Sequence, residues 1–339
     1  MQPLRRFTLG ITVGFAAFLI ALPALAQEPV TLALDWVVNG THAGYFVAKD
    51  KGYYKDAGLD VTISRGFGSG DTVKRVASKS ATIGVADTGA IIASRANDDI
   101  PVRIVAMMYD RATLGLIYLA ESGIKVPKDI EGRAIGRSAS GATVNMFPGF
   151  LKVNNIDRSK IREVVVDGAT FAPLLLSGKV DAVLEQSINI GKFRRAAELQ
   201  GKTAKAMSYA QFGLEAYGNA LIVHPTTLNE KAGMVRRFVA ATLKGTAYAF
   251  DNSGEAIITI RKSNPEIDAG AAMDELLTLR EIESGADVKK HGLGSISVPR
   301  LEKTRDNVTE ALSLKRKVTV DEMYAQGFLP KVPVAPGSK

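Results

Sequence analysis

Residues 34–63, LDWVVNGTHAGYFVAKDKGYYKDAGLDVTI, carry the alternation of elements that decides the fold. The apolar run at residues 31–34 leads into this stretch and predicts a buried strand. Apolar side chains then recur at a spacing of three to four between residues 42 and 54, which predicts a helix with one buried face. Gly58 favours the end of that helix, and the alternating residues 59–63 predict the next strand.

The single tryptophan of the chain, Trp36, lies in the loop just beyond the first predicted strand. Small ligands bind at the carboxyl ends of strands in open parallel sheets, so this position favours a wall of a binding site. Asn39 and His42 follow it closely, and Tyr45 comes one helical turn later. The alternatives are a tryptophan in the core and a histidine packed near a helix start. The grouping favours ligand stacking on Trp36, with Tyr45 as a second aromatic surface.

An ordered set of residues in this stretch matches a known signature: Asp35, Trp36, Asn39, His42, KGYY at 51–54 and GLDV at 58–61. It resembles the periplasmic solute-binding proteins of ABC importers, in the branch for nitrate, sulfonates and thiamine-pyrimidine precursors. The resemblance implies a two-lobed type II periplasmic binding protein fold of the α/β class, with parallel-rich sheets and a ligand cleft between the lobes. It also implies two partners, a small-molecule ligand and the permease subunits of an ABC importer.

The composition excludes several kinds of site. Hydrophobic residues make up 46% of the 339-residue chain and charged residues 23%, as in ordinary globular proteins. The chain has no cysteine, which excludes disulfides, thiolate metal sites and cysteine nucleophiles. The net charge of +8 comes from scattered basic residues, so no nucleic-acid partner is expected. No cofactor or metal is predicted, and the chain is expected to be a monomer.

Predicted strands and helices alternate in two separate parts of the chain, which indicates an α/β protein. From the resemblance we expect residues 27–117 and 220–330 to form a first lobe and residues 118–219 to form a second lobe. The chain then crosses between the lobes twice. Residues 331–339 are rich in proline and are expected to form a loosely ordered tail.

Three predicted strand-to-helix turns carry glycines and hydroxyl groups, two in the first lobe and one in the second. Helix N-termini offer free backbone N–H groups, so these turns favour contact with a polar or anionic part of a ligand. Ordinary helix capping is the alternative. The candidate ligand contacts in these turns are Gly68, Ser69, Asp87, Thr88, Ser138, Ser140, Gly141 and Thr143.

Glu185 follows an apolar predicted strand, so its carboxylate is expected to point into the cleft or the hinge. There it would accept hydrogen bonds from the amino groups of a pyrimidine-like ring, with a hinge salt bridge as the alternative. Arg111 and the run from Tyr217 to Asn219 lie near the expected crossings and are less favoured as ligand contacts.

Catalytic patterns are missing from the sequence. The three histidines lie far apart, and neither a phosphate-binding P-loop nor a nucleophile elbow is found. The absence of these patterns favours a binding protein over an enzyme, and the resemblance implies that it captures a small heteroaromatic solute similar to a thiamine pyrimidine precursor. Two alternatives stay open: a binding protein for an alkanesulfonate or nitrate, and a pyrimidine-synthesis enzyme on the same scaffold. The related enzymes carry a cysteine cluster, which this chain lacks.

The N-terminus has the three parts of a secretory signal peptide. Arg5 and Arg6 are basic, residues 9–22 are apolar, and Ala24-Leu25-Ala26 is a small-x-small cleavage site. A retained membrane anchor is the alternative, but this apolar segment is short for a membrane span. Cleavage after Ala26 would release the mature chain into the periplasm.

We predict that the secreted protein begins at Gln27. Mass spectrometry of protein from the periplasmic fraction is expected to give the mass of residues 27–339. An intact Met1, or a mass that includes the apolar segment, would contradict the cleavage.

Overall fold

The computed structural model describes residues 27–337, and the predicted signal peptide lies outside this range. The strands of the described part are β1 Glu28–Ala33, β2 Leu59–Ser64, β3 Ile83–Asp87, β4 Arg103–Met107, β5 Gly115–Leu119, β6 Ala134–Arg137, β7 Arg162–Val165, β8 Ala182–Leu184, β9 Ala204–Ser208 and β10 Asn219–Val223. Its α-helices are α1 Ala43–Asp50, α2 Tyr53–Asp56, α3 Ser69–Ala77, α4 Thr88–Asp98, α5 Ala142–Val153, α6 Phe171–Leu176, α7 Ile190–Glu198, α8 Pro225–Glu230, α9 Ala232–Asp251, α10 Ser253–Ser263, α11 Ala269–Ile282, α12 Ala286–His291, α13 Val298–Leu312 and α14 Val320–Met323. Among these helices we find none with the length and apolar character that a membrane span requires.

The strands form two five-stranded sheets, in the orders β2-β1-β3-β10-β4 and β7-β6-β8-β5-β9. In the first sheet β1 pairs in parallel with β2 and β3, and β10 lies antiparallel between β3 and β4. In the second sheet β6 pairs in parallel with β7 and β8, and β5 lies antiparallel between β8 and β9. We call the part built on the first sheet the first lobe and the part built on the second sheet the second lobe.

The antiparallel strands are the ones that the chain forms on arriving from the other lobe. β5 follows the first crossing and β10 follows the second, and each is inserted between two strands that run the opposite way. The sequence predicts sheets that are mostly parallel because strands alternate with helices. Alternation along the chain carries no information on the direction in which a strand enters a second sheet.

The expected lobe boundaries differ slightly from the strand positions. A boundary at residues 117/118 cuts β5, and a boundary at 219/220 cuts β10. All residues of a strand belong to the sheet with which it pairs, so the crossings lie between Met107 and Gly115 and between Ser208 and Asn219. The assignment of the remaining segments to the two lobes stays a prediction.

The helix predicted at residues 42–54 is broken into α1 and α2. Gly52 has φ of 77°, in the left-handed region that favours glycine, and this ends the first helix. α1 then packs closely on α9, since a Cβ atom at Gly44 would lie 2.7 Å from the Thr246 hydroxyl. This contact fixes the position of α1, and of the loop that precedes it, relative to α9.

One hydrophobic cluster joins the two lobes. It contains Ile104 and Ile222 from the first sheet, Leu116 from the second, and Leu301 and Val308 of α13. α13 packs against α4 and α5, which follow strands of different sheets. The lobes are therefore in extensive apolar contact beside the crossings.

The end of the chain is packed on the first lobe up to the last described residue. The Leu293 amide donates to the Val334 carbonyl (2.7 Å), and the Gly337 amide donates to the Asp251 carboxylate (2.6 Å). The loosely ordered tail expected from residue 331 onward therefore differs from the structure as far as Gly337. Proline-rich composition does not reveal hydrogen bonds to distant residues.

Two buried carboxyl groups of α11 and the turn after it hold the loop after β1 and the first crossing. Glu275 accepts a hydrogen bond from the Gly40 amide (2.7 Å), and Glu283 accepts one from the Asp110 amide (2.6 Å). Burial raises the pKa of Glu275 to about 7 and the pKa of Glu283 to about 8. Both groups keep their protons in the folded protein at pH values where an exposed glutamate is ionised.

We predict that stability falls as pH rises from about 4.5 to 8, because unfolded Glu283 releases its proton near pH 4.5 and folded Glu283 near pH 8. One such proton contributes at most about 1.4 kcal/mol per pH unit. Glu283→Gln keeps the hydrogen-bond acceptor and cannot titrate, so it should flatten the dependence. Urea denaturation at pH 5 and pH 8 measures this, with Glu281→Gln on the exposed face of α11 as the control. If the free energy of unfolding of Glu283→Gln fell with pH as steeply as that of the wild type, Glu283 would not be the titrating group.

Candidate functional site

A small cavity lies between the lobes, where the loop after β1 faces the ends of β6 and β8. Its lining residues are Asp35, Trp36, Ser69, Gly141, Ala142, Thr143, Glu185 and Gln186. The cavity has a volume of about 10 Å³, which is room for about one water molecule. The lobes are therefore closed on each other, and a ring-sized ligand enters only when they separate.

Backbone contacts close the cleft at one edge. The Gly70 amide donates to the Ser140 carbonyl (3.2 Å), and the Ser140 hydroxyl donates to the Phe67 carbonyl (3.0 Å). Gly68 has φ of 123° and lies so close to Ser140 that a Cβ atom would overlap its carbonyl. Gly68 and Ser140, predicted as ligand contacts, thus contact each other across the cleft.

Trp36 reaches from the first lobe into the apolar cluster of the second. Its indole lies against Gly168, where a Cβ atom would overlap the ring, and its centroid is 6.2 Å from that of Phe171. The side chain is buried, and its Nε1–H has no hydrogen-bond acceptor in residues 27–337. The ring therefore packs between the lobes, and its N–H is the group left unused. Ligand stacking on Trp36 stays a prediction.

Asp35 and His42 form a buried pair. The Asn39 amide donates to His42 Nδ1 (3.2 Å), so the imidazole proton is on Nε2, which donates to Asp35 Oδ1 (3.0 Å). Asn219 Nδ2 donates to Asp35 Oδ2 (2.8 Å). Both nitrogens of His42 are therefore engaged, and His42 positions Asp35 instead of offering a free nitrogen to a ligand.

A chain of polar side chains links the lobes through Asn39. Asn39 Nδ2 donates to Asn189 Oδ1 (3.2 Å), and Asn189 Nδ2 donates to Glu185 Oε1 (2.9 Å). The ammonium of Lys192 lies 3.5 Å from Glu185 Oε2, an ion pair without hydrogen-bond geometry. Glu185 is only 3% exposed, and its Oε2 has no hydrogen-bond donor in the described part of the chain.

The other candidates of the first lobe have structural partners. Ser69 lines the cavity, and its hydroxyl accepts a hydrogen bond from the Asp87 amide (3.0 Å). Asp87 caps α4 through the Ala90 amide (3.2 Å), and burial raises its pKa to about 7. Thr88 donates to the Gly218 carbonyl (2.6 Å) in the second crossing. Asp87 and Thr88 therefore lie behind the cavity wall.

Tyr45 lies in the hydrophobic core of the first lobe, and it is not part of the cavity wall. Burial raises the pKa of its hydroxyl well above the usual value. In the second lobe the Ser138 hydroxyl accepts from the Gly141 amide (2.9 Å), and Thr143 donates to the Leu184 carbonyl (3.1 Å). Gly141 and Thr143 line the cavity, while Ser138 supports the turn.

Several residues of the site were not selected from the sequence. Asp35 belongs to the opening motif, and its position next to Trp36 is the signal that could have identified it. Asn189 and Lys192 hold Glu185, but their spacing from it carries no recognisable pattern. Within residues 27–337 no group of three or more His, Asp and Glu side chains is arranged to hold a metal ion.

We predict that Gly168→Ala displaces Trp36, because the added methyl overlaps the indole. Overpacking of this kind typically costs about 1–3 kcal/mol. Since Trp36 is the single tryptophan of the chain, its emission should shift to the red as it becomes hydrated. Gly254→Ala is the control, because a Cβ atom there meets no other atom. An unchanged emission spectrum in Gly168→Ala would contradict the packing.

Comparison with known proteins identifies relatives of two kinds. A formylaminopyrimidine-binding protein of Halalkalibacterium halodurans is 24% identical over 242 residues, which are 71% of this chain and 72% of the relative. A riboflavin-binding protein of Chloroflexus aurantiacus is 25% identical over an alignment of 361 positions, which covers 97% of this chain and 99% of the relative. Similar proteins of Saccharomyces cerevisiae and Legionella pneumophila, 24% and 25% identical, are named 4-amino-5-hydroxymethyl-2-methylpyrimidine phosphate synthases.

The fold is also found in solved structures. The alkanesulfonate-binding protein of Xanthomonas axonopodis superposes with a TM-score of 0.65 and 11% identity, covering 89% of this chain and 99% of that one. This likeness confirms the predicted two-lobed periplasmic binding protein fold. Residues 39–256 match the family described as NMT1/THI5 like, and they include Asn39 and His42 of the opening motif. The chain therefore belongs to the NMT1/THI5-like family.

Proposed function

We propose that this chain is the solute-binding component of an ABC importer, and that it captures a small heteroaromatic solute similar to a thiamine pyrimidine precursor. The observation that carries this is that two residues lining one cavity each hold a buried polar atom without a hydrogen-bond partner in residues 27–337. These atoms are Nε1 of Trp36 and Oε2 of Glu185, the second of which has only the 3.5 Å ion pair with Lys192. A buried donor or acceptor without a partner costs about 1–3 kcal/mol. A ligand that satisfies both recovers this free energy.

The two groups are complementary to an aminopyrimidine. Such a ring carries a nitrogen acceptor next to an amino donor, and these match an indole N–H and a carboxylate oxygen. The relatives named for formylaminopyrimidine and riboflavin binding support a planar nitrogen heterocycle as the ligand class. In this proposal Trp36 acts mainly as a hydrogen-bond donor, since Gly168 and Phe171 cover its ring.

The charges around the cavity argue against an oxyanion. Asp35 and Glu185 line it, and the nearby Lys192 is paired with Glu185. No arginine or lysine is among the residues that line this cavity. Carboxylates in a site of low dielectric constant repel a sulfonate or nitrate, which favours a neutral or cationic solute. The sulfonate-binding neighbour supports the fold alone.

Capture requires a hinge motion. A ring does not fit into 10 Å³, so the lobes separate to admit the ligand and close again around it. Because the ligand contacts Trp36 in one lobe and Glu185 in the other, it stabilises the closed state over the open one. The protein would then deliver the ligand from the periplasm to the permease subunits.

The enzymatic alternative rests on the relatives named as synthases. This chain has no cysteine, and both nitrogens of His42 are used by Asn39 and Asp35. A binding protein should return its ligand unchanged. Chromatography after prolonged incubation distinguishes the two, because a pyrimidine synthase would release a pyrimidine that was not supplied.

We predict that formylaminopyrimidine or a related aminopyrimidine raises the melting temperature, while alkanesulfonates and nitrate do not, because binding to the native state stabilises it. A thermal-shift panel that also contains riboflavin measures this. Stabilisation by sulfonates alone would overturn the heteroaromatic proposal.

Variants of the two unsatisfied groups sharpen the same test. Trp36→Phe removes the N–H together with one ring of the indole, and the lost neutral hydrogen bond alone should weaken binding about 2- to 10-fold. Glu185→Gln removes the charge and should weaken binding about 10-fold or more. Glu198→Gln, exposed on α7, is the control for the second variant. Unchanged affinity in both site variants would contradict the assignment.

A further inference from the structure

A second cavity lies beside the crossings, separate from the cleft. It is a groove of about 770 Å³ lined by both crossing segments and by residues of α11 and α13. Small-molecule sites typically have volumes of about 300–1,000 Å³. The proposed capture of a heterocycle uses none of the residues that line this groove, so it has no assigned role.

The groove contains a guanidinium group without a partner. Arg111 lies in the first crossing, is exposed, and makes no side-chain hydrogen bond or ion pair in residues 27–337. Lys303, in contrast, faces Glu215 at 3.8 Å, a weak and largely exposed pair. Arg300 is fixed by Asp110 (2.7 Å) and Asp287 (2.8 Å). Among the cations of the groove, Arg111 is the one free to bind an anion.

The remaining wall is a mixture of apolar and hydroxyl-bearing side chains. Ala112, Ala210 and Ala216 supply partly exposed apolar surface. The hydroxyls of Ser187 and Thr278 donate to backbone carbonyls and leave the binding of an anion to Arg111. A guanidinium binds a carboxylate through two parallel hydrogen bonds, and apolar surface accepts a carbon skeleton. We propose that this groove binds a small organic carboxylate, with Arg111 as the residue that binds the carboxylate group.

The groove and the cleft share a wall. Glu185 and Gln186 line the cleft, and the next residue, Ser187, lines the groove. Thr113, in the first crossing, donates to Gln186 Oε1 (2.6 Å), and its carbonyl accepts from the Ser187 amide (2.7 Å). A ligand in the groove therefore lies beside the segment that carries Glu185.

Both crossings line the groove, so its shape changes when the lobes separate. A carboxylate that fits the closed shape favours closure and hence retention of the solute in the cleft. Thermodynamic linkage requires the reverse effect to be equally large. The groove is thus a site at which a second metabolite regulates solute capture, and this regulatory role rests on the proposed function of the cleft.

The binding test needs no cleft ligand. Glutarate at constant ionic strength should raise the melting temperature of the wild-type protein in a saturable way, and the uncharged glutaramide should not. Arg111→Gln should weaken the glutarate response at least tenfold. Arg194→Gln, an exposed arginine of α7 outside the groove, should leave it unchanged. No saturable response in the wild type, or an equal response in Arg111→Gln, would overturn the proposal.

Two further variants locate the glutarate. Trp36→Phe and Glu185→Gln alter the cleft, so they should change the glutarate response only through lobe closure and far less than Arg111→Gln does. A loss as large as that in Arg111→Gln would place glutarate in the cleft and overturn the groove site. If the aminopyrimidine panel fails while glutarate binds through Arg111, the proposed ligand class of the cleft is wrong and the groove site stands.

Discussion

The buried carboxylate of Asp35 is the group on which the site depends. It is 3% exposed, and polar oxygens at such a depth require hydrogen-bond donors to offset lost hydration. His42 and Asn219 supply these donors, one from the turn before α1 and one from β10, the strand that follows the second crossing. One carboxylate thus joins the loop that carries Trp36 to the part of the first sheet nearest the hinge.

This arrangement determines which groups remain for a ligand. His42 is used on both nitrogens, Asn39 bonds to Asn189, and Asn189 in turn holds one oxygen of Glu185. The hydrogen bonds that position these side chains also remove them as ligand contacts. Among the buried side-chain atoms of the cavity residues, the Trp36 N–H donor and the Glu185 Oε2 acceptor are those without a hydrogen bond in residues 27–337. Small-molecule sites typically recognise a ligand through a few polar groups, and many other residues hold those groups in position.

The sequence predicts the first β-loop-helix-β unit, the α/β class and five of the residues that line the cavity: Trp36, Ser69, Gly141, Thr143 and Glu185. These follow from a local rule, since polar residues just after a strand lie at the edge of the sheet. Tyr45 does not follow this rule, because it lies on a helix and its side chain points into the core of the first lobe. Gly168 contacts Trp36 across the gap between the lobes, and Lys192 approaches Glu185 from the helix that follows it. Neither hydrophobic periodicity nor helix-capping signals report such contacts.

The packing of the Trp36 indole against the second lobe limits the ligands that the cleft can hold. Full burial of a large apolar side chain stabilises the buried state by roughly 1.5–3 kcal/mol. For Trp36 this stabilisation comes from its contacts with the second lobe. A ligand that pushed the indole away from Gly168 would lose this contribution, about 10- to 100-fold in affinity. A flat ligand that enters edge-on beside the indole can keep Trp36 in place and bond to its N–H. The packing that closes the lobes therefore favours thin, planar solutes, for a reason independent of the charge of Glu185.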